Sequence, residues 1–158
     1  TGPRSPHGGW ISMTMFPMPI ERLLPQRPPM LLLDRLLSCT ASEGTADTLI
    51  SPGNLFRLPD DTIHTAALFE LMAQTYAAVH GYQNQLAGKP VSVGYLAGIT
   101  SAVVRGAARV GDRLIVSVRQ TALFQPFVRA EARVVRDGET LAEGELTLFV
   151  PPAGEKPS

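Results

Sequence analysis

The chain has 158 residues, 44% of them apolar, enough for one domain with a true core and too few for two. Its Lys and Arg total 14 and its Asp and Glu total 14, so it carries no charge footprint for nucleic acid or an anionic membrane surface. One cysteine, Cys39, excludes an internal disulfide framework and fits a reducing, cytoplasmic compartment.

Residues 1–19 read as a flexible leader, rich in Gly, Pro and Ser and without the apolar core of a signal peptide. Ile20 to Leu24 is a short apolar segment stopped by Pro25 and followed by Pro28-Pro29. Met30 to Cys39 alternates weakly and predicts a strand, and Thr45 to Ser51 predicts another, closed by Pro52-Gly53-Asn54. No apolar run exceeds Met30 to Leu33, far short of a membrane span. Leu55 to Asp61 reads as a loop, with Pro59-Asp60-Asp61 as its turn.

A helix follows, with Thr62 as N-cap and Asp60 and Asp61 suited to the positive end of its dipole. Leu68, Leu71, Met72, Tyr76 and Val79 recur at helical spacing. Ala67, Glu70, Ala73, Gln74 and Ala77 form a second face of mostly small residues, which lets a sheet or a neighbouring subunit approach. Gly81 is the expected stop, and Gln83 to Pro90 a polar loop. Strands are then expected over Val91 to Val104, Arg113 to Leu123, Phe127 to Val135 and Thr140 to Val150, with turns at Val110-Gly111-Asp112 and Asp137-Gly138. One helix cannot cover so many strands unless the sheet curls around it. The expected fold is therefore a single α+β hotdog domain over residues 20–150, at least dimeric, with a loose tail over 151–158.

Glu70 is the candidate acid or base, because it places one carboxylate in an otherwise uncharged helical segment. Gln74, four residues on, is placed to bond Glu70 or backbone. Among the other polar residues, His80 suits the helix C-terminus, and the histidines and Cys39 lack ligand spacing, which argues against a metal site. Ser92 lacks the helix that a nucleophile elbow needs. Arg105 and Arg109 are candidates for a phosphate or an acidic partner, and exposed strand-end arginines are the plain alternative. Phe124 and Phe127 either line an acyl tunnel or fill core.

Four segments together resemble a known family. Leu23-Leu24-Pro25-Gln26-Arg27-Pro28-Pro29-Met30-Leu31-Leu32-Leu33-Asp34-Arg35 looks like the opening motif of FabZ-type 3-hydroxyacyl-ACP dehydratases. Glu70-Leu71-Met72-Ala73-Gln74 resembles their central-helix motif, and Tyr95-Leu96-Ala97-Gly98-Ile99 and Val110-Gly111-Asp112-Arg113-Leu114 resemble a later strand and turn. The Pro-Pro-Met-Leu-Leu-Leu-Asp-Arg form and the Met-Ala-Gln helix are similar to the ApeP-type branch from aryl-polyene pigment clusters. The resemblance implies loss of water from a 3-hydroxyacyl thioester on the phosphopantetheine arm of an acyl carrier protein, with no cofactor. It also implies a hotdog homodimer or a heterodimer with another hotdog subunit.

The family's loop histidine, in Gly-His-Phe-Pro-Gly, stands fourteen positions before the helix glutamate; here that position is Phe56, and the motif is absent. His64, six before Glu70, is the substitute candidate for the α-proton base, with a capping or surface histidine as the plain alternative. Glu70 is then the acid for the leaving hydroxyl. N–H groups at Thr65 and Ala66 would polarise the thioester carbonyl, and Gln74, Gly98, Phe124 and Phe127 would contact substrate. Two other readings remain at this point: a silent or half-active subunit paired with an active dehydratase, and a thioesterase whose helix carboxylate activates water.

Overall fold

Seven antiparallel strands form one curled sheet around a single long helix in the computed structural model, which describes residues 16–90 and 94–151. In chain order they are β1 (Met18–Pro19), β2 (Arg35–Cys39), β3 (Glu43–Leu49), α1 (Ala66–Leu86), β4 (Tyr95–Val104), β5 (Arg113–Phe124), β6 (Phe127–Arg136) and β7 (Glu139–Phe149). The sheet order is β1-β2-β3-β5-β6-β7-β4, so β4, which follows the helix, lies at an edge. This is the expected hotdog fold.

The inner face of the sheet is read directly from two-residue alternation. Leu114, Val116 and Val118 of β5, Val128, Ala130 and Val134 of β6, and Leu146 and Leu148 of β7 are all buried. Leu68, Leu71, Met72, Tyr76 and Val79 of α1 meet them, and all five are buried. Each Leu, Val or Met side chain among them contributes on the order of 1.5–3 kcal/mol. The outer face carries cross-strand ion pairs, including Arg119 with Glu131 at 2.6 Å and Arg129 with Glu145 at 3.4 Å. Asp47 on β3 is the exception to exposed charge. It is buried, and it is clamped by Arg35 of β2 at 2.6 Å and Arg113 of β5 at 2.9 Å. Arg35 is held more firmly protonated by that hydrogen bond to Asp47 and by the carboxylate's charge.

The structure corrects several expected boundaries. Residues 1–15 lie outside the described part, as do residues 91–93 of the expected third strand and residues 152–158 of the expected tail. Residues 16–19, however, belong to the fold and not to a leader. Met18 is buried and pairs with Leu36, and the Phe16 ring sits 5.2 Å from that of Tyr82. Pro151 likewise is buried, and Val150 N–H donates to Pro126 O. Met30 to Asp34 is not strand. Its backbone bonds are divided instead: Met30 and Leu31 N–H close a turn on Arg27 O, Leu32 O accepts from Thr48 Oγ1, Asp34 N–H donates to Asp47 O and Asp34 O accepts from Ile20 N–H.

The helix starts at Ala66, not after Thr62, because Thr62 bridges to Arg109 and Ile63 N–H donates to Ala108 O. Nor does it stop at Gly81. It runs to Leu86, and Gly88, at φ +68°, supplies the left-handed residue that ends it. Gly81 is required for close approach, since a Cβ there would lie 2.5 Å from Leu23 O. Gly81→Ala is therefore expected to destabilise the fold by about 2 kcal/mol despite alanine's better helix propensity. That corresponds to a Tm lower by about 4–8 °C. An unchanged melting curve would mean that the chain around Leu23 yields freely.

Candidate active site

Glu70 lies in the second turn of α1 and is half-buried. Its Oε1 accepts a hydrogen bond from Gln74 Nε2 at 3.0 Å, the contact expected from their four-residue spacing. Gln74 is itself buried and has further bonds. Its Nε2 also donates to Met30 O at 2.8 Å, and its Oε1 accepts from Leu32 N–H at 2.9 Å. One amide thus ties the opening loop, the helix and the candidate carboxylate together. No Lys or Arg pairs with Glu70 among the described residues. A half-buried, unpaired carboxyl group with one donor fixing its orientation is suited to proton transfer.

His64 lies just outside the helix and is exposed. Its Nδ1 accepts from Ala66 N–H at 3.0 Å, so it caps the helix, while Thr65 makes no side-chain cap bond and Thr62 is held by Asp60. The plain capping role is therefore the one seen. It has a chemical consequence: with the Nδ1 lone pair engaged, the proton of the neutral ring sits on Nε2. In this pose His64 offers a donor. It can take a proton only after the cap opens. Ala66 N–H, expected at the thioester carbonyl, is occupied by the same bond, whereas Thr65 N–H has no acceptor among the described residues.

His64 and Phe56 are backbone neighbours. His64 N–H donates to Phe56 O at 2.9 Å, across the small turn in which Arg57 pairs with Ile63. Phe56 is the position fourteen before Glu70. This adjacency is invisible to sequence spacing, because it depends on a turn closed by Arg57 and Asp61 at 2.6 Å and by Asp61 at φ 66°.

The other expected residues are not gathered around Glu70. Gly98 sits at an irregularity of β4, and nothing lies within 4 Å of where its Cβ would stand, so no packing inside this chain demands a glycine there. Phe124 is exposed and Phe127 half-buried; neither belongs to the core. Their rings, 6.3 Å apart, continue to Phe149 at 5.6 Å, and the Arg129 guanidinium lies over Phe124. Phe69 of α1 lies beside Gly144 of β7. Phe149 is five residues farther on, about 17 Å along the strand, so the aromatic cluster is remote from the helix start. Arg105 is committed to Glu143 at 2.6 Å. Among the described residues there is no group of three His, Cys, Asp or Glu side chains able to hold a metal ion, and no helix long and apolar enough to cross a membrane.

A family model, ApeP-like, described as ApeP dehydratase, matches residues 18–157. The 3-hydroxyacyl-[acyl-carrier-protein] dehydratase FabZ of Latilactobacillus sakei is 31% identical over 142 residues, covering 83% of this chain and 95% of the relative. FabZ of Bacillus pumilus is 26% identical over 140 residues, covering 84% and 94%. Among solved structures, the dehydratase heterocomplex ApeI:P from Xenorhabdus doucetiae superposes with a TM-score of 0.79 at 21% identity, covering 85% of this chain and 92% of the other.

Proposed function

This chain belongs to the ApeP-like dehydratase family, and we propose that it removes water from a 3-hydroxyacyl thioester carried on acyl carrier protein. The observation that carries this reading is Glu70, held half-buried by Gln74 and free of any cation among the described residues. In the reaction the C2–H bond breaks, its electrons form the C2=C3 double bond, and the C3–O bond breaks to a hydroxyl protonated by Glu70. A trans-2-enoyl thioester and one water result. His64 takes the C2 proton after its Nδ1 leaves Ala66 N–H. The same movement frees that N–H, with Thr65 N–H, to stabilise the enolate-like oxygen. The backbone bond from His64 N–H to Phe56 O supports this role, since it sets His64 next in space to the position fourteen before Glu70.

A single chain leaves the site open. Edge strand β4 exposes Tyr95, Leu96, Val103 and Val104, and the Glu70, Ala73 and Ala77 side of α1 is only half-buried. An exposed apolar edge favours pairing with another strand. We therefore place a second hotdog subunit there, either another copy or a different chain, as in the ApeI:P heterocomplex. Gly98, with open space where its Cβ would be, suits close approach by that subunit or by the thioester arm.

Product analysis of 3-hydroxybutyryl-ACP incubated with the protein tests the reaction. An enoyl thioester supports dehydration, and a free thiol would replace it with thioester hydrolysis. His64→Ala is expected to lower kcat by about 100-fold or more. The same change costs only about 1 kcal/mol of stability through the lost cap. Wild-type kcat in that variant would leave His64 as a cap alone.

A further inference from the structure

The aromatic residues that lie away from Glu70 share one cross-strand row. Phe124 of β5 pairs with Phe127 of β6, Phe127 with Phe149 of β7, and Phe149 with Tyr95 of β4. The whole chain holds only six Phe, three Tyr and one Trp, so four of them in one register row is a concentration rather than scatter. The row spans three strand spacings, about 14 Å. Val128 and Leu148, the neighbours of Phe127 and Phe149 along their strands, are buried on the inner face, so alternation turns the two Phe side chains to the outer face. Leu123, on the inner side of the same tip, is 57% exposed, Phe124 is 48% and Tyr95 43% exposed.

The row also projects from the domain. The last pair between β3 and β5 is Glu43 with Arg119, and Phe124 lies five residues farther, about 17 Å along β5. Among the described residues no strand flanks β5 on that side over this stretch. Charge at the tip is sparse. From Thr121 to Ala130 the one charged residue is Arg129, whose guanidinium lies 5.6 Å from the Phe124 ring centroid and is matched by Glu145 at 3.4 Å. A second subunit's strand along β4 would use in-plane backbone groups, and so would leave the outer face of this tip open.

These features select among occupants. Charged and polar groups fix the register of a protein partner, and this row supplies one hydroxyl, that of Tyr95, and no unmatched charge. A bilayer surface asks for something else: apolar and aromatic side chains on a projecting lip, with a polar or cationic group one step behind them. Leu123, Phe124 and the aromatic row meet the first requirement, and Arg129, two residues back from Phe127, meets the second. The 14 basic and 14 acidic residues of the chain cancel, so attraction to such a surface would be apolar and not coulombic.

We propose that the tip joining β5 to β6 and its aromatic row form a lipid-facing lip, by which the protein rests on the surface of a neutral bilayer without spanning it. The inference is independent of the dehydration reading, and its test needs no turnover.

Sedimentation of the full chain with phosphatidylcholine vesicles tests it. The wild type is expected to pellet with the vesicles, and the double variant Leu123→Ser, Phe124→Ser to partition at least about tenfold more weakly. Raising NaCl from about 0.1 M to about 1 M shortens the Debye length from about 10 Å to about 3 Å and should leave wild-type binding undiminished. Phe124→Trp provides a second reading that holds even where the serine variant melts early. Its fluorescence should be quenched by vesicles with brominated acyl chains, beyond the baseline set by Trp10 in the wild type. No co-sedimentation, binding that salt abolishes, equal binding by a folded serine variant, or no quenching beyond the Trp10 baseline would each overturn the proposal. A vesicle-free oligomer that the serine variant dissociates would overturn it too, since protein would then cover the lip.

Discussion

Glu70→Gln is expected to lower kcat and kcat/KM for dehydration together, by about two to four orders of magnitude, with KM nearly unchanged. The expectation follows from what the substitution removes and what it keeps. Glutamine has the same shape, and its carbonyl still accepts from Gln74 Nε2, so the bonds from Gln74 to Met30 O and Leu32 N–H are undisturbed. No ion pair is lost among the described residues. The folded state should be as stable as the wild type, since the shape and the hydrogen bond are both kept. Only the proton is missing. Unchanged turnover alongside unchanged stability would move the acid to another residue.

Gln74→Leu should show the opposite pattern, a structural loss first. The buried amide satisfies Leu32 N–H and Met30 O, backbone groups of a loop that the sheet does not pair. Leucine leaves both without that partner, at about 1–3 kcal/mol for each group that stays buried. A total of about 2–4 kcal/mol lowers Tm by about 5–15 °C for a domain of this size. In urea the midpoint should fall with m unchanged, because the surface exposed on unfolding is the same. Activity should fall as well, since Glu70 loses its orienting donor. Gln74→Glu separates the two roles. It keeps an acceptor for Leu32 N–H, loses the donor to Met30 O and sets a second carboxylate against Glu70. A Gln74→Leu protein as stable as wild type would show that water replaces the amide without cost.

These two residues mark how far the sequence was readable. The apolar period that predicts α1 and the two-residue alternation of β5 to β7 report burial directly, and the structure holds all four elements, with both ends of α1 shifted towards the C-terminus. Glu70 stood out because a lone charge in an apolar helix needs a reason, and Gln74 because four-residue spacing forces the two side chains together.

What sequence did not reveal depends on distant partners. Met30 to Asp34 has the composition of a strand, yet its backbone is divided among Arg27, Gln74, Thr48, Ile20 and Asp47. Thr62 has the chemistry of an N-cap, but Arg109 and Ala108 hold that stretch extended and pass the cap to His64. Gly81 reads as a helix stop until Leu23 is placed against it. The backbone contact of His64 with Phe56 likewise needs residues that only the fold brings together. Asp47 gave no local signal, because its burial is set by arginines on two other strands.

The most direct test of the central claim is intact-mass analysis of a 3-hydroxyacyl-ACP after incubation with the purified protein, wild type beside Glu70→Gln. Loss of the mass of one water in the wild-type reaction, with the acyl chain still attached and no change with Glu70→Gln, is the predicted result. An unchanged carrier in both reactions would contradict dehydration by this chain acting without a second subunit. The same loss of water in both would show that Glu70 is not the acid.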